Sequence, residues 1–156
     1  MTSISDIKPY PPEEIAASNA PDGFAPIESH SHFGCRNGPL FERSDSDGVW
    51  QRGIRIMEKH VNAGGFCHGG MLMTMADIVL ARGVITVAPH PFVTMRMTTD
   101  FIGTAMLGEW VAGSARVSRK TGSMVFVEGE LTAVKGEKRR VILTASGIFK
   151  LLRSKK

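Results

Sequence analysis

A chain of 156 residues fits one domain of ordinary size, long enough to bury a hydrophobic core. With 42% hydrophobic and 22% charged residues its composition is that of a soluble globular protein, and its net charge of +4 suits a small polyanion as well as nucleic acid. The two cysteines, Cys35 and Cys67, make neither a CxxC pair nor a disulfide framework, so a reducing, cytoplasmic setting is expected. The first residues, MTSISDIKPYPPEE, lack an apolar core, so no signal peptide is expected, and Asp77 and Arg82 break the longest oily stretch, Met71 to Ala88, which argues against a membrane span.

Residues 1–37 are rich in Pro, Ser, Asn and Asp and read as an arm lying on the domain. Within it, Pro11, Pro12, Glu13 and Glu14 open a short helix to about Ser18, because proline and acids both suit a first helical turn. NAPDGFAP then reads as turns. Residues 38–152 form the main domain, and 153–156 a basic tail. Its opening, GPLFERSDSDGVWQRGIRIMEKHVN, is two extended runs joined at DSDG. After AGGFCHGG comes a helical run of about twenty residues, too long for a strand. Its apolar residues lie on nearly every side, which predicts a helix buried all round. Gly83, Pro89 and Pro91 close it.

Four β-type runs follow: FVTMRMTTDFIG, EWVAGSARVSRK, SMVFVEGELTAVK and RRVILTASGIFKLL. AMLG, KTG and KGEK separate them, and such tight links predict an antiparallel meander. The expectation is an α+β fold, a long central helix wrapped by a curved antiparallel sheet of five to six strands.

This order, with Asn62, His68-Gly69-Gly70 and Asp77 in the pattern N-x5-HGG-x6-D, resembles the hotdog fold and its acyl-CoA thioesterases of the phenylacetic-acid-degradation type, relatives of 4-hydroxybenzoyl-CoA thioesterase. A second landmark of that family, a strand carrying Ser or Thr, ending in an aromatic residue and followed by a Leu-Gly-Glu-like turn, is matched by Thr94, Phe101 and Leu107-Gly108-Glu109. The resemblance covers roughly residues 38–150 and leaves the N-terminal arm out. It implies thioester hydrolysis of an acyl-CoA without a metal or redox cofactor, in a homodimer or dimer of dimers. It also implies that Asp77 acts across the subunit interface, facing the partner's Asn62 and Gly69, and that Thr94 helps hold the water or the carboxylate.

The chemistry fits these residue types. Hydrolysis needs water delivered to a carbonyl carbon and N–H donors for the oxyanion that forms. A helix start supplies such donors, since its first amides lack partners and its dipole favours negative charge. Gly69 N–H is therefore the first oxyanion donor and the Asn62 amide the second. Gly70 lets substrate approach the backbone closely. Asp77, the only acid between Glu58 and Asp100, lies two turns on and on the same face as Gly70, as base or nucleophile. His68 suits orienting Asn62 or the loop better than abstracting a proton.

Blander roles stand beside these. Asn62 would also serve as a turn residue, Thr94 as an ordinary strand residue, and Met71, Met73 and Met75 as core filler where an acyl tunnel is the other reading. A Cys67–His68 nucleophile is disfavoured because adjacent side chains rarely face each other. His30, His32 and Cys35, or His60 and His68, make poor metal sets. Scattered aromatics argue against nucleic acid. Two further readings are an idle hotdog that only binds acyl-CoA and a 3-hydroxyacyl-thioester dehydratase or hydratase. The second is disfavoured because HGG replaces the Pro-Gly-containing loop of those enzymes.

Overall fold

In a computed structural model, which describes residues 10–28, 31–88 and 91–152, the DSDG signal forms the predicted turn between two antiparallel strands, β2 (Phe41–Ser44) and β3 (Trp50–Arg55). The Asp45 carboxylate closes the turn by accepting from the N–H groups of Asp47 and Val49, and Gly48 takes the positive φ of 76°. The long helix, α3 (Gly69–Ile85), follows, and then β4 (Phe92–Phe101), β5 (Trp110–Lys120), β6 (Met124–Lys135) and β7 (Lys138–Leu151). Each of the four later strands lies within two residues of the run that predicts it.

The strand order differs from the expected meander. With the two-residue strand β1 (Ala25–Pro26) at one edge, the seven-stranded antiparallel sheet runs β1-β2-β3-β5-β6-β7-β4. Strands β5, β6 and β7 are hairpin neighbours, but β4 pairs with β7 and forms the far edge. The link 102–109 is therefore a crossing loop, not a hairpin. Its Ala105 carbonyl accepts from Cys67 N–H, and Ile102 and Gly103 both donate to the Ile142 carbonyl. Burial decides this order. With β4 at the edge, β3 and β7 both flank the β5–β6 pair, and all four strands pack on α3.

Helix α3 buries Met71, Leu72, Met75, Ala76, Val79, Leu80, Gly83 and Val84, a stripe of steps of one and three that fills one face. Ile54, Val111, Val125, Leu131, Leu143 and Phe149 meet it from the sheet, and full burial of each such side chain contributes about 1.5–3 kcal/mol. Gly83 lets the helix approach closely, since a Cβ there would sit 3.1 Å from the Ala115 methyl. The expectation of burial all round fails on the opposite face. Met73 is 39% exposed, and Thr74, Asp77, Ile78 and Ala81 are only half-buried. Within one chain the sheet covers one side of this oily helix.

The N-terminal residues add the predicted helix α1 (Pro12–Ala17), the two-residue strand β1 (Ala25–Pro26), which pairs with β2, and a second short helix, α2 (His32–Asn37). Strand β1 brings the sheet to seven. Neither β1 nor α2 has a periodic signal, and both form where residues distant in sequence receive them. Phe24 and Phe41 pack edge-on against the Trp110 indole, centroids 5.0 and 5.6 Å away, as a small core on the outer face. The Arg55 guanidinium donates to the Ser18 and Asn19 carbonyls at the end of α1 and to Gly108. Helix α2 is fastened by the Tyr10 hydroxyl donating to the Gly34 carbonyl, and its N-terminus is capped by the Ser31 hydroxyl. Residues 153–156 and His30 lie outside the described residues. Among those described, no helix is long and apolar enough to cross a membrane and no group of three His, Cys, Asp or Glu side chains could hold a metal.

Candidate active site

The loop 61–68 enters α3 with its ends fastened together. His68 N–H donates to the His60 carbonyl at 2.8 Å, and Val61 and Cys67 form a bridge. Asn62 organises the interior. Its Oδ1 accepts from the N–H groups of Gly64 at 2.9 Å and Phe66 at 3.3 Å, and Gly65 takes the positive φ of 78° that the turn requires. Because two N–H donors face one side-chain atom, that atom is oxygen, and the Nδ2 amide points away as an exposed donor. The turn role and the donor role of Asn62 are thus compatible: one end of the amide builds the loop and the other is left over.

His68 is the N-cap of α3. Its Nδ1 accepts from Gly70 N–H at 2.9 Å, so that donor is already used, and its carbonyl takes the N–H of Met71 and Leu72. Among the described residues Gly69 N–H has no acceptor, which leaves it as the free donor of the first turn. The Phe101 ring lies over it, 3.7 Å from where a Gly69 Cβ would stand. In this geometry His68 caps the helix start, and of the two glycine amides it leaves Gly69 rather than Gly70 without an acceptor among the described residues.

Asp77 stands two turns along the open face of α3. Its Oδ1 accepts from the Thr94 hydroxyl at 2.8 Å. Thr94 reaches it because of a β-bulge between Thr94 and Arg96, where the exposed Met95 is the extra residue on β4. Asp77 and Thr94 are thus brought together, as are Asn62, His68 and Gly69, but the two groups are apart. Eight helical residues separate Gly69 from Asp77, about 12 Å of helix, too far for one thioester carbonyl to meet both within a single chain.

Cys67 is buried, and desolvation pushes its thiol up to about 11, which removes it as a nucleophile near neutral pH. Sequence reasoning missed the groups that brace the site. Glu109, 5% exposed, accepts from Met106 N–H at 3.0 Å and pairs with Arg140, which also donates to the Thr104 carbonyl. Burial alone would raise this carboxyl, but Arg140 and Met106 N–H together hold it below its ordinary value. This clamp fixes the 102–109 loop against Phe66 and Cys67, and the Leu-Gly-Glu landmark was its one visible trace. Phe66, Phe101, Ile102, Met106 and Leu107 form an exposed apolar rim around the helix start.

A family model described as Thioesterase superfamily matches residues 64–139, from the site loop to the first residues of β7. The chain is 38% identical over 135 residues, 85% of its length, to the protein named Putative esterase PA0474 of Pseudomonas aeruginosa, 98% of which it covers. It is 29% identical over 80 residues to human Acyl-coenzyme A thioesterase 13, a match spanning 51% of this chain and 57% of that protein. In three dimensions it is similar to the protein named putative thioesterase, phenylacetic acid degradation-related protein, of Ralstonia eutropha JMP134. That match has a TM-score of 0.65 and 24% identity, and covers 81% of this chain and 92% of the other. The fold expected from the N-x5-HGG-x6-D pattern is the fold observed, and with it the chain belongs to the thioesterase superfamily.

Proposed function

We propose that this protein hydrolyses acyl-CoA thioesters at a site built by two copies of the chain. The observation that carries the reading is the Asp77–Thr94 pair on an uncovered helix face, about 12 Å from a helix start that offers the free donors Gly69 N–H and Asn62 Nδ2. Each half supplies what the other lacks. Asp77 draws a proton from water as it attacks the thioester carbon, and the departing sulfur takes that proton. In the other route Asp77 attacks that carbon itself to give an anhydride, which water then hydrolyses to free acid and Asp77, the water's proton passing to the departed thiolate. Gly69 N–H and the Asn62 amide of the second copy stabilise the oxyanion, and CoA leaves as the thiol. Thr94 holds the carboxylate in its productive orientation, and His68 keeps the donor-bearing turn in shape.

Strand β4 supports the pairing. It is an edge strand of ten residues with Val93, Met95 and Phe101 exposed, a ready template for a second strand. Twofold antiparallel pairing about its middle would bring each Thr94 end beside the partner strand's Phe101 end, which lies over Gly69. It would also cover the open face of α3. The carrier named for the human relative, coenzyme A, supports CoA as the leaving group here.

Thiol release against short, long and aromatic acyl-CoAs, run beside Asp77→Asn, tests the reading. Hydrolysis that drops by two orders of magnitude or more in a folded Asp77→Asn protein is expected. Equal turnover in that variant removes Asp77 from the chemistry, and acyl-CoA binding without thiol release from any chain length replaces hydrolysis with a binding role.

A further inference from the structure

Three polar side chains are buried among the described residues: Ser18, His60 and Glu109. Ser18 closes α1 by donating to the Glu14 carbonyl, and Glu109 serves the Arg140 clamp. His60, in the short turn Glu58–His60 and 2% exposed, joins three segments. Its Nδ1 accepts from Met57 N–H at 3.0 Å, and its Nε2–H donates to the Asn37 carbonyl at the end of α2, also at 3.0 Å. Its own carbonyl holds His68 N–H, the closing bond of the loop that carries Asn62 and delivers Gly69.

One protonation state alone satisfies this arrangement. Met57 presents a donor and Asn37 an acceptor, so the ring must be neutral with its hydrogen on Nε2. An imidazolium would point Nδ1–H at Met57 N–H, donor against donor in a buried site. We propose that His60 is the positioning residue of the Asn62–Gly69 loop: its neutral ring locks the loop to α2, and protonation of the ring displaces both oxyanion donors and stops hydrolysis in acid. The inference rests on the function proposed above, since it assigns the same two donors.

The surroundings favour the neutral ring. Burial holds the imidazole below its ordinary range. Lys59 acts in the same sense, whereas the Asn37 carbonyl, the Arg55 backbone and Glu14 of α1 oppose it. Lys59 and Glu14 are themselves an ion pair at 2.8 Å, so their opposing effects largely cancel. Small displacements suffice for the effect, because a shift of about 1 Å in positioning groups costs on the order of a hundredfold in rate.

The test combines kinetics with ring spectroscopy. kcat and KM for the best acyl-CoA are followed from pH 4.5 to 8 in the wild-type chain and in His60→Gln, whose amide can donate to the Asn37 carbonyl and does not titrate. In parallel, nitrogen-15 NMR follows the His60 ring and the backbone amides of Asn62 and Gly69. The wild-type kcat is expected to fall at least tenfold on the acid side with KM changed less than threefold. The midpoint should coincide with titration of the His60 ring and with movement of both amide resonances, and in His60→Gln the fall should shift to lower pH. An acid limb unchanged in His60→Gln assigns it to another group and overturns the proposal. So does a His60 ring that titrates while the Asn62 and Gly69 resonances stay fixed, and that measurement on wild-type protein decides the matter even if the variant does not fold. A chain that hydrolyses no acyl-CoA at any pH defeats the proposed function, while the amide resonances still report on His60.

Discussion

Thr94→Val deletes one hydroxyl and replaces it with a methyl of nearly the same shape, which isolates the bond to Asp77. Thr94 is exposed on an edge strand and valine is a good strand former, so stability should change by no more than about 0.5 kcal/mol. The bond itself is a 2.8 Å O–H to a carboxylate, a class worth about 1.5–3 kcal/mol. Even the lower end of that range predicts a loss of about tenfold, since about 1.4 kcal/mol is tenfold in kcat. Thr94→Ser retains the donor and should keep most of the activity. Asp77→Asn alone should cost about 10²–10⁴-fold. Because Thr94 acts through the charge on Asp77, adding Thr94→Val to Asp77→Asn should cost no more than about threefold, since a bond to a neutral amide has roughly half the strength. Thiol release supplies the four kcat values of this cycle and thermal melting checks the fold. A tenfold loss from Thr94→Val in both backgrounds would mean that Thr94 touches water or substrate independently of Asp77, and no loss in the wild-type background would leave the bond without a part in the reaction.

Three more outcomes follow from the geometry. Mixing Asp77→Asn chains with Asn62→Ala chains, each inactive alone, should restore about a quarter of wild-type activity, because half the dimers are mixed and each has one intact site of two; a mixture as inactive as its components would put the site within one chain. Gly53→Ala should lower the urea midpoint by the equivalent of about 1–3 kcal/mol, since the new Cβ would stand 2.4 Å from the Trp110 ring, which Phe24 and Phe41 keep from swinging away; an unchanged midpoint refutes this packing. His60 should also make folding acid-sensitive. Its folded value is depressed from 6.5, so the unfolded chain binds the extra proton; the stability it contributes is full above that pH and is lost as pH falls toward the folded value. Tm should therefore fall between pH 7.5 and 5.5 in wild type and fall less in His60→Gln, and equal slopes in the two proteins would contradict it.

The local elements were legible in the residues themselves, and half of the candidate site in those residues together with their resemblance to the hotdog thioesterases. Hydrophobic runs, glycine and proline punctuation and the DSDG turn are short-range signals, and each acts on the few residues around it. That is why α1, α3 and the strands β2 to β7 stand where the patterns put them. The N-x5-HGG-x6-D spacing works the same way: it fixes a loop, a helix start and a carboxylate two turns on, whatever surrounds them. Strand order is another matter. AMLG reads as a tight link, but residues 102–109 separate the strands on either side of it, and β4 pairs across the sheet with β7, about fifty residues away in sequence. The bulge at Met95 that turns Thr94 onto Asp77, the Arg140–Glu109 clamp and the His60 link to α2 join residues 17, 31 and 23 positions apart, and no local pattern marks such partners. Sequence determined which segments fold as helix or strand and which groups stand ready for chemistry. Tertiary structure decided which of those groups meet, because distance in space, unlike periodicity, depends on how the whole chain divides its buried surface.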